Sequence, residues 1–346
     1  MLKLLVSLIV IFVILGIAYY AGPKVPEARL TPVLPTVNSD LAKLEQEVIQ
    51  SEKATALLKN DNEARIIWAD STKKEKTPYS IVYIHGFGAS WAEGDPIHKD
   101  LAKKYGANLY LSRMHDAGIN DPNAFDDLTP NNFLAGAKRA LAIGKVLGDS
   151  VIVIGTSAGG LLSVYLASTH PEIKGLVLYS PCMEVANPSL KLITGPWGKQ
   201  ILNQVMGEHN TSKDSIPAHA QFWLQGYNSN GLVTLQQMMD VISRREVYER
   251  IKIPVFVGYY FKNDKEQDQV VSVAAIQKMF PLLGTPDNLK VEKAFPESGD
   301  HVIASRLRSK DVRGVYEATD QFFMEKLLMK PVEGATTQHS TVSWAD

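Results

Sequence analysis

Hydrophobic and polar positions divide the chain into stretches of different character before any single residue is considered. Residues 4–22 read LLVSLIVIFVILGIAYYAG, nineteen positions without a charge, after a lone Lys3. A run apolar all round has no wet face, and as a helix it covers the ~30 Å hydrocarbon core of a bilayer. It predicts a single N-terminal transmembrane helix over 1–22, with Tyr19 and Tyr20 where an interfacial aromatic belt lies. The alternative is a secreted protein after signal cleavage, although a signal peptide's apolar region is usually about 7–15 residues. Pro23, Pro26, Pro32 and Pro35 follow within thirteen residues, the pattern of an extended spacer holding the domain off the membrane. Within this 23–60 linker, Leu41, Leu44, Val48, Leu57 and Leu58 mostly follow a helical period, predicting an amphipathic helix over 41–59 that docks on the remainder.

Beyond residue 60 the period changes. Short apolar runs at 64–69, 79–84, 108–111, 151–155, 175–180, 254–260 and 290–295 read as strands. Helical patterns at 95–105, 131–147, 158–168, 271–280 and 311–328 fall between and after them. This alternation predicts an α/β domain over 61–330, a mostly parallel central sheet with helices on both faces. VIVIG and GLVLYS are the natural central strands, being apolar on both faces. About seventy residues separate the strand ending at 180 from the one beginning at 254, more than one crossover uses. Helical patterns near 190–206 and 231–249 mark this interval as an inserted helical cap, about 183–250. Its Trp197, Phe222, Trp223, Met238 and Met239 suit an apolar pocket, and equally suit packing of the cap on itself. Residues 331–346 read as a polar tail.

Composition removes several classes of function. With 36 Lys and Arg against 37 Asp and Glu, the 346-residue chain carries a net charge of −1 and lacks the field that gathers a phosphate backbone, so nucleic acid is not an expected partner. Cys182 is the single cysteine, which rules out an intrachain disulfide, a thiolate metal cluster and a dithiol couple. Lys3 before the apolar run and Lys24 and Arg29 after it do not decide orientation; the expectation is a domain outside the cytoplasm.

The chemistry concentrates at strand ends. VIVIGTSAGG places G-x-S-x-G, as Gly155, Ser157 and Gly159, after an apolar strand and before a helical run. A serine on a sharp strand-to-helix turn takes a strained backbone, and small residues two positions either side let strand and helix approach. A serine hydroxyl needs a base, and the base an orienting acid. Of eight histidines, His301 in PESGDHVIAS follows the last strand and falls at the same carboxyl edge as Ser157. Asp264 and Asp268 compete for the acid on the loop after PVFVGYY, and Asp268, just before Val270 and Val271, is favoured because the short loop there holds it in place. The oxyanion donors are expected from the backbone N–H of Ala158 and of Phe87, with His85, Gly86 and Gly88 in YIHGFG shaping that turn.

The chain order Ser157, Asp268, His301 resembles that of the α/β-hydrolases. HGFG, GTSAGG, DQVVS and DHVI are similar to the motifs of the bacterial carboxylesterase and monoacylglycerol lipase branch, over roughly residues 65–328. The acid loop departs from the pattern by its extra KNDKEQ, and Asp300 stands directly before His301. The resemblance implies a serine esterase acting through an acyl-enzyme on a small-molecule or lipid ester, with no cofactor and no metal. An amide or peptide hydrolase using the same three residues is the alternative, since the triad does not distinguish the bond cleaved. A membrane-tethered binding protein with an inactive hydrolase fold is the third.

Overall fold

Strand β4 (Gly148–Thr156) shows why a sheet covered on both faces forms. Val151 and Val153 enter one hydrophobic core, Ile152 and Ile154 the other, and all four are buried. β2 (Thr77–Ile84) divides in the same way, Val82 and Ile84 against Ile81 and Tyr83. β-branched side chains restrict χ1 and fit a pleated surface, so an unbroken apolar run of this kind is a buried strand. The structure is a computed structural model describing residues 2–211 and 215–333, so residues 334–346 of the expected tail lie outside it.

Among the described residues the main sheet has seven strands in the order β1 (Arg65–Ile67), β3 (Asn108–Leu111), β2, β4, β5 (Gly175–Tyr179), β8 (Val255–Tyr259), β11 (Lys290–Ala294). Its neighbours are parallel except β1, which runs antiparallel to β3 with Ile66 opposite Tyr110. Helices α3 (Ile97–Tyr105) and α11 (Val312–Glu325) cover one face. The other is covered by α4 (Pro130–Leu147), α5 (Ala158–Thr169) and α10 (Val273–Met279). Each parallel crossover returns through a helix, so the carboxyl ends of β2, β4, β5, β8 and β11 lie at one edge, where the loops gather.

Between β5 and β8 the chain forms α6 (Gly198–Met206), the hairpin β6 (His209–Thr211) with β7 (Gly226–Asn228), then α7 (Pro217–Phe222), α8 (Asn230–Ile242) and α9 (Arg245–Tyr248). This cap segment is tied down: Leu224 N–H donates to Gly88 O at 2.7 Å, and Thr234 Oγ1 to Leu128 O at 2.8 Å. Met238 and Met239 are buried in the core, Phe222 packs on Trp91, and Trp223 stands beside His219. With Trp197 half exposed elsewhere, the five residues are distributed among separate packing contacts and do not all line one pocket.

Helix α1 (Leu2–Tyr20) contains an 18-residue stretch, Lys3–Tyr20, long and apolar enough to cross a membrane. α2 (Leu41–Lys53) is capped by Asp40, which accepts from Lys43 N–H, and buries Leu44 and Val48. It stops short of residue 59 because Leu57 takes a positive φ and Lys59 N–H donates to Gly118 O. The proline-rich stretch does not stand free as a spacer. Extended backbone leaves carbonyls without partners, and here Gln237 donates to Pro26 O, His170 bonds Pro32 O, and Arg244 pairs with Glu27. The linker is a strap across the domain.

Candidate active site

Ser157 ends β4 and begins α5 with φ 54° and ψ −120°, a backbone region costly for any residue with a Cβ. The strain is held by bonds on both sides, Ser157 N–H to Tyr179 O at 2.9 Å and Cys182 N–H to Ser157 O at 2.9 Å. A Cβ on Gly159 would strike Ile84 O, and one on Gly155 would strike Ser163 Oγ, so both glycines are required for the close approach of strand and helix. Ser157 makes no capping bond to α5, leaving its hydroxyl available above the sheet edge.

His301 and Asp268 meet from two different loops. The imidazole Nδ1 lies 2.6 Å from Asp268 Oδ2, with both side chains buried. A carboxylate only accepts, so Nδ1 carries the proton and Nε2 presents its lone pair. That Nε2 is buried without a partner among the described residues, and no Ser157–His301 hydrogen bond closes there. Asp268 Oδ1 is occupied by the N–H groups of Val270 and Val271, at 2.8 and 3.0 Å. Val271, the first residue of the expected helix, is thus held to the acid loop, and α10 begins at Val273 after its Ser272 cap. Ser180 Oγ donates to His301 O at 2.8 Å, tying the histidine loop to the end of β5. Asp264 sits exposed at the turn between β9 (Phe261–Asn263) and β10 (Glu266–Gln267), where its carbonyl accepts from Gln267 Nε2. The extra KNDKEQ is therefore a hairpin with Asp264 at its exposed turn.

Burial disfavours the imidazolium of His301, but Asp268, aided by Glu93 and Asp300, outweighs it and raises the pKa above its ordinary value. Asp300 is itself engaged by Arg308 Nε at 3.1 Å.

The turn after β2 is built on His85. Met114 N–H donates to Nε2 at 3.0 Å, so Nδ1 carries the proton given to Gly86 O at 2.8 Å. A second proton would face the Met114 donor in a buried place, and burial pushes this pKa down to about 4. Gly88 has φ 65°, and the Phe87 ring packs on Phe125 with centroids 4.6 Å apart. Among the described residues the backbone N–H groups of Phe87 and Ala158 have no protein acceptor.

Folding lowers the His85 pKa from 6.5, so the unfolded chain binds the extra proton. Its contribution to stability is complete above pH 6.5 and is lost as pH falls towards 4, the loss reaching about 2–3 kcal/mol by pH 4.5. Denaturant unfolding of the wild type at pH 7 and 4.5 should show a larger loss than that of His85→Gln, whose amide does not titrate. Equal losses would show that His85 carries none of the acid sensitivity.

Glu93 stands against the same turn, and the sequence pattern did not single it out. It lies buried on the 3-10 turn Trp91–Gly94, and its Oε2 accepts from Gly86 N–H at 2.5 Å. A Cβ at Gly86 would lie 2.7 Å from Glu93 Oε1 and 3.0 Å from Ser157 Cβ, which places this carboxyl directly behind the serine. Burial raises its pKa to about 7, while Gly86 N–H and His301 hold it down. The signal in the sequence is a lone carboxylate in the otherwise uncharged GFGASWAEG.

No family model matches the sequence. A solved structure reported for the metagenome-derived lipolytic enzymes LipS and LipT aligns with a TM-score of 0.62 at 17% identity, covering 77% of this chain and 98% of that one. The chain has the α/β-hydrolase fold. Two further structures share it: Est1E from Butyrivibrio proteoclasticus with bound ferulic acid, and a soluble variant of monoglyceride lipase from Saccharomyces cerevisiae. The first has a TM-score of 0.55 and 18% identity over 77% of this chain and 95% of that one. The second has 0.52 and 14% over 75% and 89%. In sequence, the chain is similar to a thermostable monoacylglycerol lipase of Bacillus sp. (strain H-257), 26% identical over 114 residues. That match spans 32% of this chain and 44% of the relative, less than half its length. In an α/β-hydrolase fold the loops carrying residues 157, 268 and 301 share the carboxyl edge of the sheet.

Proposed function

We propose that the protein is a serine hydrolase of carboxylic esters. The observation that carries this reading is the buried His301–Asp268 pair, 2.6 Å apart, with His301 Nε2 unpartnered, at the sheet edge that holds the strained Ser157. In this reading His301 Nε2 takes the Ser157 proton as Oγ attacks the ester carbonyl, and Asp268 holds the tautomer and stabilises the imidazolium. The N–H groups of Phe87 and Ala158 receive the oxyanion, Glu93 fixing their loop through Gly86 N–H. The alkoxide leaves with the proton from His301, and water, activated by the same base, releases the acyl group from Ser157.

The partial similarity to a monoacylglycerol lipase supports an ester, and specifically an acylglycerol, over an amide. α1 supports placement at a membrane as a single-pass anchor, where such a substrate resides. The test is hydrolysis of a nitrophenyl ester series, acetyl to palmitoyl, and of monoacylglycerols by the full chain in detergent micelles. Turnover that peaks at one acyl length is expected. A folded chain that hydrolyses no ester would overturn the reading.

A further inference from the structure

Helix α6 of the cap segment buries only one flank. Leu202 packs with Ile193 and Val233, whereas Ile201 and Val205 are 54% and 76% exposed. Leu192, 66% exposed, and Met206 extend the same apolar surface. Large side chains grouped in this way on a protein surface mark an interaction site. Here the group is continuous with the membrane-length helix, because Leu192, Ile201, Val205 and Met206 form one apolar groove with Tyr19 of α1.

The junction is fixed rather than slack. Trp197 Nε1 donates to Ala18 O at 3.1 Å, and Trp197 N–H donates to Pro23 O at 2.9 Å. From there the strap is held through Pro26, Glu27 and Pro32, so the domain is not suspended on a free tether. When α1 crosses a bilayer, Tyr19 and Tyr20 mark the headgroup level. The exposed face of α6 then meets the same layer, as an amphipathic interfacial helix does. A second protein copy would have to share this face with lipid around the fully exposed α1, which makes lipid the occupant the geometry favours.

We propose that the apolar face of α6, with Leu192 and Trp197, is a bilayer-docking surface that seats the cap segment in the interfacial layer of the membrane crossed by α1. The inference deepens the proposed function and rests on its reading of α1 as an anchor; its readout requires no turnover.

Cysteine is introduced by Val205→Cys and, in a second protein, by Arg313→Cys on α11, which lies across the sheet and is 72% exposed at its side chain. Cys182 is buried, so an NBD label enters the new thiol. The full chain is reconstituted into phosphatidylcholine vesicles with and without brominated acyl chains. The label at 205 is expected to be quenched about twofold or more by the brominated lipid and the label at 313 to be unaffected. Emission at 205 that is blue-shifted but not quenched would assign the face to a protein partner and overturn the proposal. A chain that floats with the vesicles but shows no quenching would overturn docking and leave the anchor standing. A chain that does not float would overturn both. Ester turnover is measured separately, so a failure of docking is distinguishable from a failure of the esterase reading.

Discussion

Ser157→Ala should lower kcat/KM for a nitrophenyl ester by about 10⁵- to 10⁶-fold, the scale on which a nucleophile of this kind acts. The expectation follows from the loss of Oγ alone. Alanine keeps the Cβ that already stands against Gly86, and the backbone bonds to Tyr179 and from Cys182 are unchanged. The variant should therefore unfold at nearly the wild-type denaturant midpoint. A fluorophosphonate, which forms a bond to an activated serine, should label the wild type and leave the variant unlabelled. Turnover retained in Ser157→Ala would remove the serine from the mechanism and with it the proposed function.

The second large effect separates two acids. Asp268→Asn should cost about 10⁴-fold in kcat, by analogy with the loss when a triad aspartate becomes an amide. The geometry says why. The N–H groups of Val270 and Val271 hold one side-chain oxygen, so an asparagine would keep its oxygen there and turn its NH₂ towards His301. Two donors cannot face one another, and His301 would shift to the tautomer with the proton on Nε2, which cannot accept from Ser157. Asp264→Asn, on an exposed hairpin turn, should remain within about twofold of wild type, as an exposed substitution away from the site does. Comparing kcat of the two variants under saturating ester decides the matter. A large loss in Asp264→Asn with little in Asp268→Asn would reverse the assignment.

Several features were legible because the signal is local. Alternating strand and helix patterns predicted the sheet, and Val151 to Ile154 occupy both of its faces. The glycines around Ser157 reported a turn too tight for a side chain, and His301 fell after the last strand. Element ends were less secure, since a cap or a positive φ overrides a periodic pattern: α2 stops before Leu57, and α10 starts two residues after Val271. β1 could not be given its direction from sequence, because antiparallel pairing with β3 depends on which edge the chain reaches.

Glu93 and the linker show a different kind of gap. A carboxylate in GFGASWAEG looks like an ordinary surface charge until the turn buries it behind Ser157. A proline-rich stretch looks like a spacer until Gln237, His170 and Arg244, all distant in sequence, supply partners to it. The apolar residues of the cap segment could equally have lined a pocket, packed the core or faced lipid.

The sequence by itself determined a two-sided α/β sheet with an apolar leading helix, a serine on a glycine-flanked turn, and a histidine and two aspartates on loops after later strands. Periodicity, backbone sterics and chain order act over a few residues and are written in them. Only the tertiary structure set Asp268 rather than Asp264 beside His301, brought Glu93 to Gly86, strapped the linker down and left one face of α6 open. Whether a charge is buried or an apolar face covered depends on groups tens to hundreds of residues away, and no local pattern encodes their arrival.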